Sequence, residues 1–185
     1  MHVRLHSVEP ASRANGPGLR AVVWFQGCTL ACPGCFNPTA QDPSAGYVAD
    51  TAALTADLLS LKPVVEGISI TGGEPFQQPE ALLDLLKRLD GAGLSRLVFS
   101  GYRLEEIQSL PRGSQILSHL DVLVAGRYVA AQRLARGLLG SANQRLHLLT
   151  ARYDWRDFDT VPAREVILHA DGTVVLSGVD PWRPI

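Results

Sequence analysis

The stretch GCTLACPGCFNP, residues 27–38, holds every cysteine of the chain: Cys28, Cys32 and Cys35. Their spacing is C-x3-C-x2-C, so the three thiols share one short loop. Three is an odd number for disulfides, and it is one fewer than the four ligands of a closed structural zinc site. The chemistry of these thiols is therefore the first question that the sequence raises.

Three functions of the cysteine loop have to be compared. A structural zinc site would need a fourth ligand, and the histidines that could supply it are remote in sequence: His2, His6, His119, His147 and His169. A redox pair of Cys32 and Cys35 resembles the thioredoxin type, but it leaves Cys28 without a role. A 4Fe-4S cluster is normally held by four thiolates, and with three it keeps one iron open to another ligand. The spacing favours the cluster, and the zinc site and the redox pair remain alternatives.

The composition is that of a globular domain. The chain has 185 residues, of which 46% are hydrophobic, so it can bury a sizeable core. Charged residues make up 19% and the net charge is −1, which argues against a nucleic-acid partner or a polybasic membrane patch. No signal peptide or membrane-span pattern is present. Clustered cysteines in such a chain indicate a reducing compartment, and we expect a cytoplasmic protein.

Short apolar runs alternate with helical periods along the chain. They predict strands at 19–26, 67–70, 96–99 and 121–124, and helices at 51–61, 80–89 and 104–110. Thr51 is the predicted N-cap of the first helix. Residues 165–169 and 173–176, joined by a turn at 171–172, predict a C-terminal β-hairpin. The alternation predicts an α/β fold of right-handed βαβ units with mostly parallel strands, open or partly closed as a barrel.

Two segments are expected to meet at one edge of the sheet. The cysteine loop follows the first predicted strand, and TGGE, residues 71–74, follows the second. The carboxyl ends of parallel strands meet at the same edge, where α/β proteins place their chemistry. Glycines let a backbone approach a ligand closely, and Glu74 offers a carboxylate to an ammonium group. A plain strand-to-helix turn would also use two glycines, so both interpretations stay open on the residues alone.

A family resemblance extends over much of the chain. It is carried, in order, by NGPGLR (15–20), CPGCFN (32–37), SITGGEP (69–75), FSGY (99–102), DVLVAGRY (121–128) and GSANQR (140–145). The first three segments, with the cysteine spacing, resemble the glycyl-radical activating enzymes of the radical S-adenosylmethionine (SAM) family. The last three resemble, within that group, the activating proteins of anaerobic ribonucleoside-triphosphate reductase. The pattern departs at Leu139, where the family typically has an arginine, and Arg136 lies three residues too early.

The resemblance implies a fold, two cofactors and a reaction. The fold would be a single domain over 1–185, with a partial (β/α)6-type barrel as its core at about 15–150 and the hairpin, at about 163–178, as an extension. Cys28, Cys32 and Cys35 would hold a 4Fe-4S cluster whose open iron binds SAM. An electron donor such as flavodoxin or ferredoxin would reduce the cluster, and reductive cleavage of SAM would give a 5′-deoxyadenosyl radical.

The resemblance also implies the residues around SAM and the identity of the partner. Gly72, Gly73 and Glu74 would hold the methionine end of SAM. Phe36 and the backbone near Gly34 would contact the adenine, and Ser100 belongs to the same cofactor-binding set. The radical would remove a hydrogen atom from a glycine of a large glycyl-radical enzyme, most closely anaerobic ribonucleotide reductase.

The expected chemistry assigns no general base or nucleophile. The segments 16–18 and 140–144 are candidates for the rim that receives the partner. Two other functions remain open: a radical SAM enzyme that acts on a small molecule or peptide, and a small iron–sulfur electron carrier.

Overall fold

Buried apolar strands form the parallel centre of a seven-stranded sheet in the computed structural model, which describes residues 1–180. The strands of the chain are β1 (His2–Ser12), β2 (Arg20–Phe25), β3 (Tyr47–Asp50), β4 (Gly67–Gly72), β5 (Ser95–Ser100), β6 (Val122–Ala125), β7 (Arg133–Arg136), β8 (Leu139–Ser141), β9 (Arg145–Leu148), β10 (Arg164–Leu168) and β11 (Val174–Gly178). The helices are α1 (Thr51–Ser60), α2 (Pro79–Arg88), α3 (Leu104–Ser109) and α4 (Gly113–Leu117).

The order of strands in the main sheet is β3-β1-β2-β4-β5-β6-β9. The neighbours β2, β4, β5 and β6 pair in parallel, whereas β1, β3 and β9 pair antiparallel at the flanks. The mixed α/β class and the parallel centre are therefore as predicted. The order has two ends, at β3 and β9, and a partial barrel stays a prediction.

Alternation along the central strands separates the two faces of the sheet. Val23 and Ile70 belong to the core that the helices cover, together with Leu82 and Leu86 of α2. All the leucines of α2 are buried on one side of the helix, as expected for an amphipathic helix with a period of 3.6 residues. Trp24 and Thr71, the next residues along β2 and β4, point to the opposite face of the sheet. Both line the candidate site.

Helix α1 begins after an aspartate cap. The Asp50 side chain accepts hydrogen bonds from the backbone amides of Ala52 at 2.9 Å and Ala53 at 3.1 Å. The prediction of Thr51 as the N-cap is wrong by one residue, because Asp50 has the extended backbone that a cap requires. Thr51 is the first helical residue, and its hydroxyl bonds to Asp84.

Replacing Asp50 with alanine is expected to lower the midpoint of thermal unfolding by roughly 2–4 °C, because two amides of α1 lose their acceptor. Circular dichroism at neutral pH measures this midpoint. Asp57→Ala is the matched control, since it removes the same charge from an exposed position of the same helix. An equal midpoint for the two variants would contradict the capping role.

The two-stranded sheets lie outside the central one. Strands β7 and β8 pair with each other, and β10 and β11 form the antiparallel hairpin that the C-terminal pattern indicates. No helix within residues 1–180 is long and apolar enough to cross a membrane.

Candidate functional site

The carboxyl ends of the four parallel strands converge on one pocket of about 370 Å³. The cysteine loop follows β2, Gly73 and Glu74 follow β4, Gly101 follows β5, and Gly126 follows β6. Residues of each of these segments line the pocket. The sequence predicted these strands as the first four of the chain. They are the second, fourth, fifth and sixth, because β1 and β3 were not predicted. Every predicted site residue except Gly34 lies in the pocket wall.

A tight turn shapes the cysteine loop. The backbone amide of Cys35 donates to the carbonyl of Cys32 at 3.1 Å, with Pro33 and Gly34 between them. Gly34 has φ +73°, as the third position of a type II turn requires. Gly34 is exposed and lies outside the pocket wall, so the structure gives it the role of forming the turn, and an adenine contact there stays a prediction.

Backbone amides lie close to two of the three sulfur atoms. The Asn37 amide donates to Cys35 Sγ at 3.4 Å, and the amides of Leu30 and Ala31 lie near the Cys28 thiol. Burial raises the pKa of Cys28, and these two amides oppose that effect by stabilising the thiolate. On balance, the surroundings of Cys28 favour the neutral thiol.

Two glutamines that the sequence did not single out position this loop. The Gln77 side chain accepts from the Thr29 amide at 3.0 Å and donates to the Thr29 hydroxyl at 2.8 Å. The Gln26 side chain donates to the carbonyls of Thr39 at 3.0 Å and Asp42 at 2.7 Å. Side-chain amides that satisfy loop backbone in this way fix the loop relative to the sheet.

The paired glycines after β4 allow two backbones to touch. A Cβ at Gly73 would lie 2.3 Å from the carbonyl oxygen of Gly27, and a Cβ at Gly72 would lie 2.3 Å from that of Phe25. The Gly73 amide donates to the Phe25 carbonyl at 2.7 Å. These glycines therefore bring the end of β4 directly against the start of the cysteine loop, and a role in holding SAM stays a prediction.

Glu74 is fully buried beside the pocket. Its Oε1 accepts from the Phe76 amide at 3.0 Å and from the Ser100 hydroxyl at 2.9 Å, and its Oε2 accepts from the Gly101 amide at 2.7 Å. Burial raises the pKa of Glu74 to about 7, against the opposing effect of these hydrogen bonds. A cation bound nearby would favour the ionised form.

An aromatic pair forms another part of the wall. The rings of Phe36 and Tyr128 meet edge to face, with centroids 5.0 Å apart. Gly140 lies against both, since a Cβ there would be 3.0 Å from Phe36 and 3.3 Å from Tyr128. The sequence pointed to Phe36, and Tyr128 becomes visible as its neighbour only in the fold.

The side chain of Gln144 holds the segment 140–144 in place. Gln144 Oε1 accepts from the Gly140 amide at 2.8 Å, and Gln144 Nε2 donates to the Gly126 carbonyl at 2.8 Å. Gly140 and Gln144 both line the pocket. Leu139, the departure from the family pattern, is partly buried and packs against an apolar cluster that includes Leu97 and Phe158.

The bend at 16–18 is packed inward. Gly16 is buried, and a Cβ there would lie 2.7 Å from the Arg20 side chain. The guanidinium of Arg20 is fully buried and donates to the Ser69 hydroxyl at 2.7 Å, and burial lowers its pKa. None of the residues 16–18 lines the pocket, although their neighbour Asn15 does, and a role of this bend in receiving the partner stays a prediction.

Comparison with known proteins agrees with this geometry. Residues 14–147 match the family described as "4Fe-4S single cluster domain". The chain is 32% identical over 157 residues to the anaerobic ribonucleoside-triphosphate reductase-activating protein of Salmonella typhi, a match that covers 80% of this chain and 99% of that one.

Two further likenesses are more limited. The chain is 34% identical over 126 residues to the pyruvate formate-lyase-activating enzyme of Clostridium pasteurianum, covering 65% of this chain and half of that enzyme's length. The crystal structure of QueE from Escherichia coli gives a TM-score of 0.45 at 18% identity, over 55% of this chain and 53% of that one.

The family match and the activating-protein relatives define the class first: an iron–sulfur protein of the radical SAM type, with a single 4Fe-4S cluster. The chain belongs to the family of the anaerobic ribonucleoside-triphosphate reductase-activating proteins.

The residues present fit these cofactors. Three thiols of one loop line a pocket with a buried carboxylate and an aromatic pair in its wall. Within residues 1–180, no set of three or more His, Cys, Asp or Glu side chains surrounds a single ion. A cluster does not require such a set, because each thiolate binds its own iron atom.

Proposed function

We propose that this protein generates a glycyl radical on a large partner enzyme, and that the partner is an anaerobic ribonucleoside-triphosphate reductase. The observation that carries the proposal is the convergence of Cys28, Cys32 and Cys35 with Glu74 on one pocket. The activating-protein relatives, matched over nearly their whole length, supply the substrate class. The proposed fold is the partial barrel of radical SAM enzymes over a single domain.

Each group in the pocket has a proposed role. Cys28, Cys32 and Cys35 ligate three irons of the cluster and leave the fourth for SAM. When bound, the reduced cluster supplies the electron that cleaves SAM to methionine and the 5′-deoxyadenosyl radical, which takes a hydrogen atom from the partner's glycine. The electron comes from an external donor such as flavodoxin or ferredoxin, and the reducing cytoplasm is the expected compartment.

The protein's own side chains position SAM and exclude water. Ionised Glu74 faces the ammonium group, and Ser100 and the Gly101 amide hold that carboxylate in place. The Gly72–Gly73 backbone keeps the methionine end close to the cysteine loop. Phe36, braced by Tyr128, provides a flat apolar surface for the adenine. Orientation of this kind is the main contribution that a protein makes to cofactor chemistry.

Incubation of the reconstituted, reduced protein with SAM tests the enzymatic part of this proposal. The expected product is 5′-deoxyadenosine, quantified by chromatography. A protein that takes up electrons and releases no 5′-deoxyadenosine is an electron carrier, and that result would overturn the proposal.

Glu74→Gln is expected to retain the cluster and to bind SAM roughly 10- to 100-fold more weakly, because a hydrogen bond to a charged group contributes about 1.5–3 kcal/mol. Equilibrium dialysis of the loaded protein measures the affinity. Glu105→Gln, at an exposed position of α3, makes the same charge change away from the pocket and serves as the control. Equal affinities in wild type and Glu74→Gln would remove this carboxylate from the SAM site.

The affinity for SAM is also expected to depend on pH. Burial raises the pKa of Glu74 to about 7, so the carboxyl takes up a proton as the pH falls through that value and loses its attraction for an ammonium group. Wild-type affinity should therefore fall between about pH 7.5 and about pH 6, and Glu74→Gln should lack this decrease. The same pH profile in both proteins would contradict the assignment.

A further inference from the structure

The C-terminal hairpin forms part of the pocket although it lies outside the matched residues 14–147. Residues of β11, among them Val175, Leu176 and Ser177, line the same pocket as the three cysteines. No residue of β10 lies in that wall within the described part of the chain. Strand β11 is therefore the edge of the hairpin that meets the site.

Polar contacts hold the hairpin in one position. Glu165 Oε2 accepts from the Ser12 hydroxyl at 2.7 Å and from the Arg13 amide at 2.9 Å. Asn15 Nδ2 donates to Ser177 Oγ at 2.6 Å, and both side chains are buried. These contacts tie both strands of the hairpin to the segment between β1 and β2. The hairpin is thus a fixed wall.

Strand β11 has a free edge. Its partner is β10, and no third strand pairs with the hairpin within residues 1–180. The His169 amide donates to the Thr173 carbonyl at 2.9 Å, and Leu168 stands opposite Val174 in the register. Hydrogen-bonded and non-hydrogen-bonded pairs alternate along an antiparallel ladder, so Leu176 directs its N–H and C=O away from β10.

The outer face of the hairpin is apolar. Four aliphatic side chains are between 49% and 74% exposed: Val166, Leu168, Val174 and Leu176. They form two cross-strand pairs in the register of the hairpin. Since Leu176 belongs both to this face and to the pocket wall, the face continues into the pocket.

We propose that the glycine-bearing segment of the partner enzyme binds as an extended strand along the free edge of β11, with apolar side chains of the partner on the outer face of the hairpin. This inference rests on the proposed function. A glycine has no side chain to be recognised, so a segment that presents it has to be held through its backbone and its neighbours. An exposed strand edge supplies backbone donors and acceptors for that purpose, and flanking apolar surface adds affinity.

Leu176→Pro tests the edge. Proline keeps an apolar side chain and removes one outward N–H, and edge strands tolerate proline where the N–H is free. Its affinity for full-length anaerobic ribonucleoside-triphosphate reductase is expected to be about tenfold lower than that of wild type and clearly lower than that of Leu176→Val, which shortens the same side chain but keeps the N–H. Fluorescence anisotropy of the labelled, cluster-loaded protein with SAM present measures both.

A second variant tests the outer face without changing a residue of the pocket wall. Leu168→Ser, at the most exposed of the four aliphatic positions, is expected to weaken reductase binding several-fold. Wild-type affinity in both Leu176→Pro and Leu168→Ser would overturn the inference. So would a wild-type dimer that Leu176→Pro converts to a monomer in sedimentation, because the edge would then pair with a second copy of the chain.

The two proposals fail separately. If wild type forms no glycyl radical on the reductase, the proposed function is wrong whatever the variants bind. If wild type forms the radical and both variants bind and activate as well as wild type, the proposed function stands and the docking of the segment on β11 is wrong.

Discussion

Replacement of Cys28, Cys32 or Cys35 with alanine is expected to abolish stable four-iron content and SAM cleavage together. Under the proposed ligation by three thiolates, and with no fourth cysteine in the chain, the loss of one would leave two irons without a protein ligand. Iron and sulfide per chain, visible absorbance and 5′-deoxyadenosine are measured after anaerobic reconstitution. Dioxygen should bleach the absorbance of wild type, because the proposed ligation leaves one iron without a protein ligand.

Thr29→Ala is the control for these three variants, since it changes the same loop and leaves every thiol in place. It is expected to retain wild-type iron content despite losing the hydroxyl contact with Gln77. A Cys28→Ala protein with a full cluster and normal turnover would contradict the assignment of Cys28 as a ligand.

The second large effect is expected from Gly73→Ala. The new methyl group would lie 2.3 Å from the Gly27 carbonyl oxygen and 2.7 Å from that of Ala40, and both are backbone atoms that cannot rotate away. Overpacking of this kind costs about 1–3 kcal/mol, and relief requires the cysteine loop to move. We expect a lower free energy of unfolding for the iron-free protein in urea, and a reduced iron content after reconstitution.

Gly93→Ala provides the comparison. Gly93 has φ +78°, so alanine there is strained, but its Cβ would meet nothing within 4 Å. This control carries backbone strain without a steric clash and should load iron like wild type. Normal stability and iron content in Gly73→Ala would show that the approach of β4 to the cysteine loop is not as close as described.

The parallel centre of the fold could be predicted because each of its strands carries its own signal. Runs such as 67–70 combine isoleucine with small residues, and the amphipathic helix α2 lies between two of these runs. Strands that are buried on both faces can be predicted from their local sequence alone. The convergence of the cysteine loop and Glu74 then follows from topology alone, since parallel strands end at one edge.

The flanking strands could not be predicted in the same way. Strand β1 mixes His, Arg, Glu and Pro with its apolar residues, and β9 has four residues, of which two are polar or charged. Their pairing with β2 and β6 decides their conformation, and tertiary pairing of this kind is invisible in a local pattern. Helix α4, which also went unpredicted, has five residues and starts after Arg112 at φ +60°.

Within the site, the sequence indicated the reactive residues better than the residues that hold them in place. The cysteines and Glu74 can be recognised from residue type and spacing. The glutamines that hold the cysteine loop and the segment 140–144 cannot, because Gln77 reaches Thr29 and Gln144 reaches Gly126 only after the chain has folded. The C-terminal hairpin could be predicted from its turn residues. Its position in the pocket wall could be seen only in the structure.

Electron paramagnetic resonance of the complete reaction tests the central claim most directly. Reduced, cluster-loaded protein, SAM and the anaerobic ribonucleoside-triphosphate reductase are mixed without dioxygen, and the spectrum is recorded. The proposed function predicts a glycyl doublet on the reductase, with 5′-deoxyadenosine formed in equal amount. Absence of the doublet with every glycyl-radical protein of the source organism, together with consumption of a small molecule or a peptide, would contradict it.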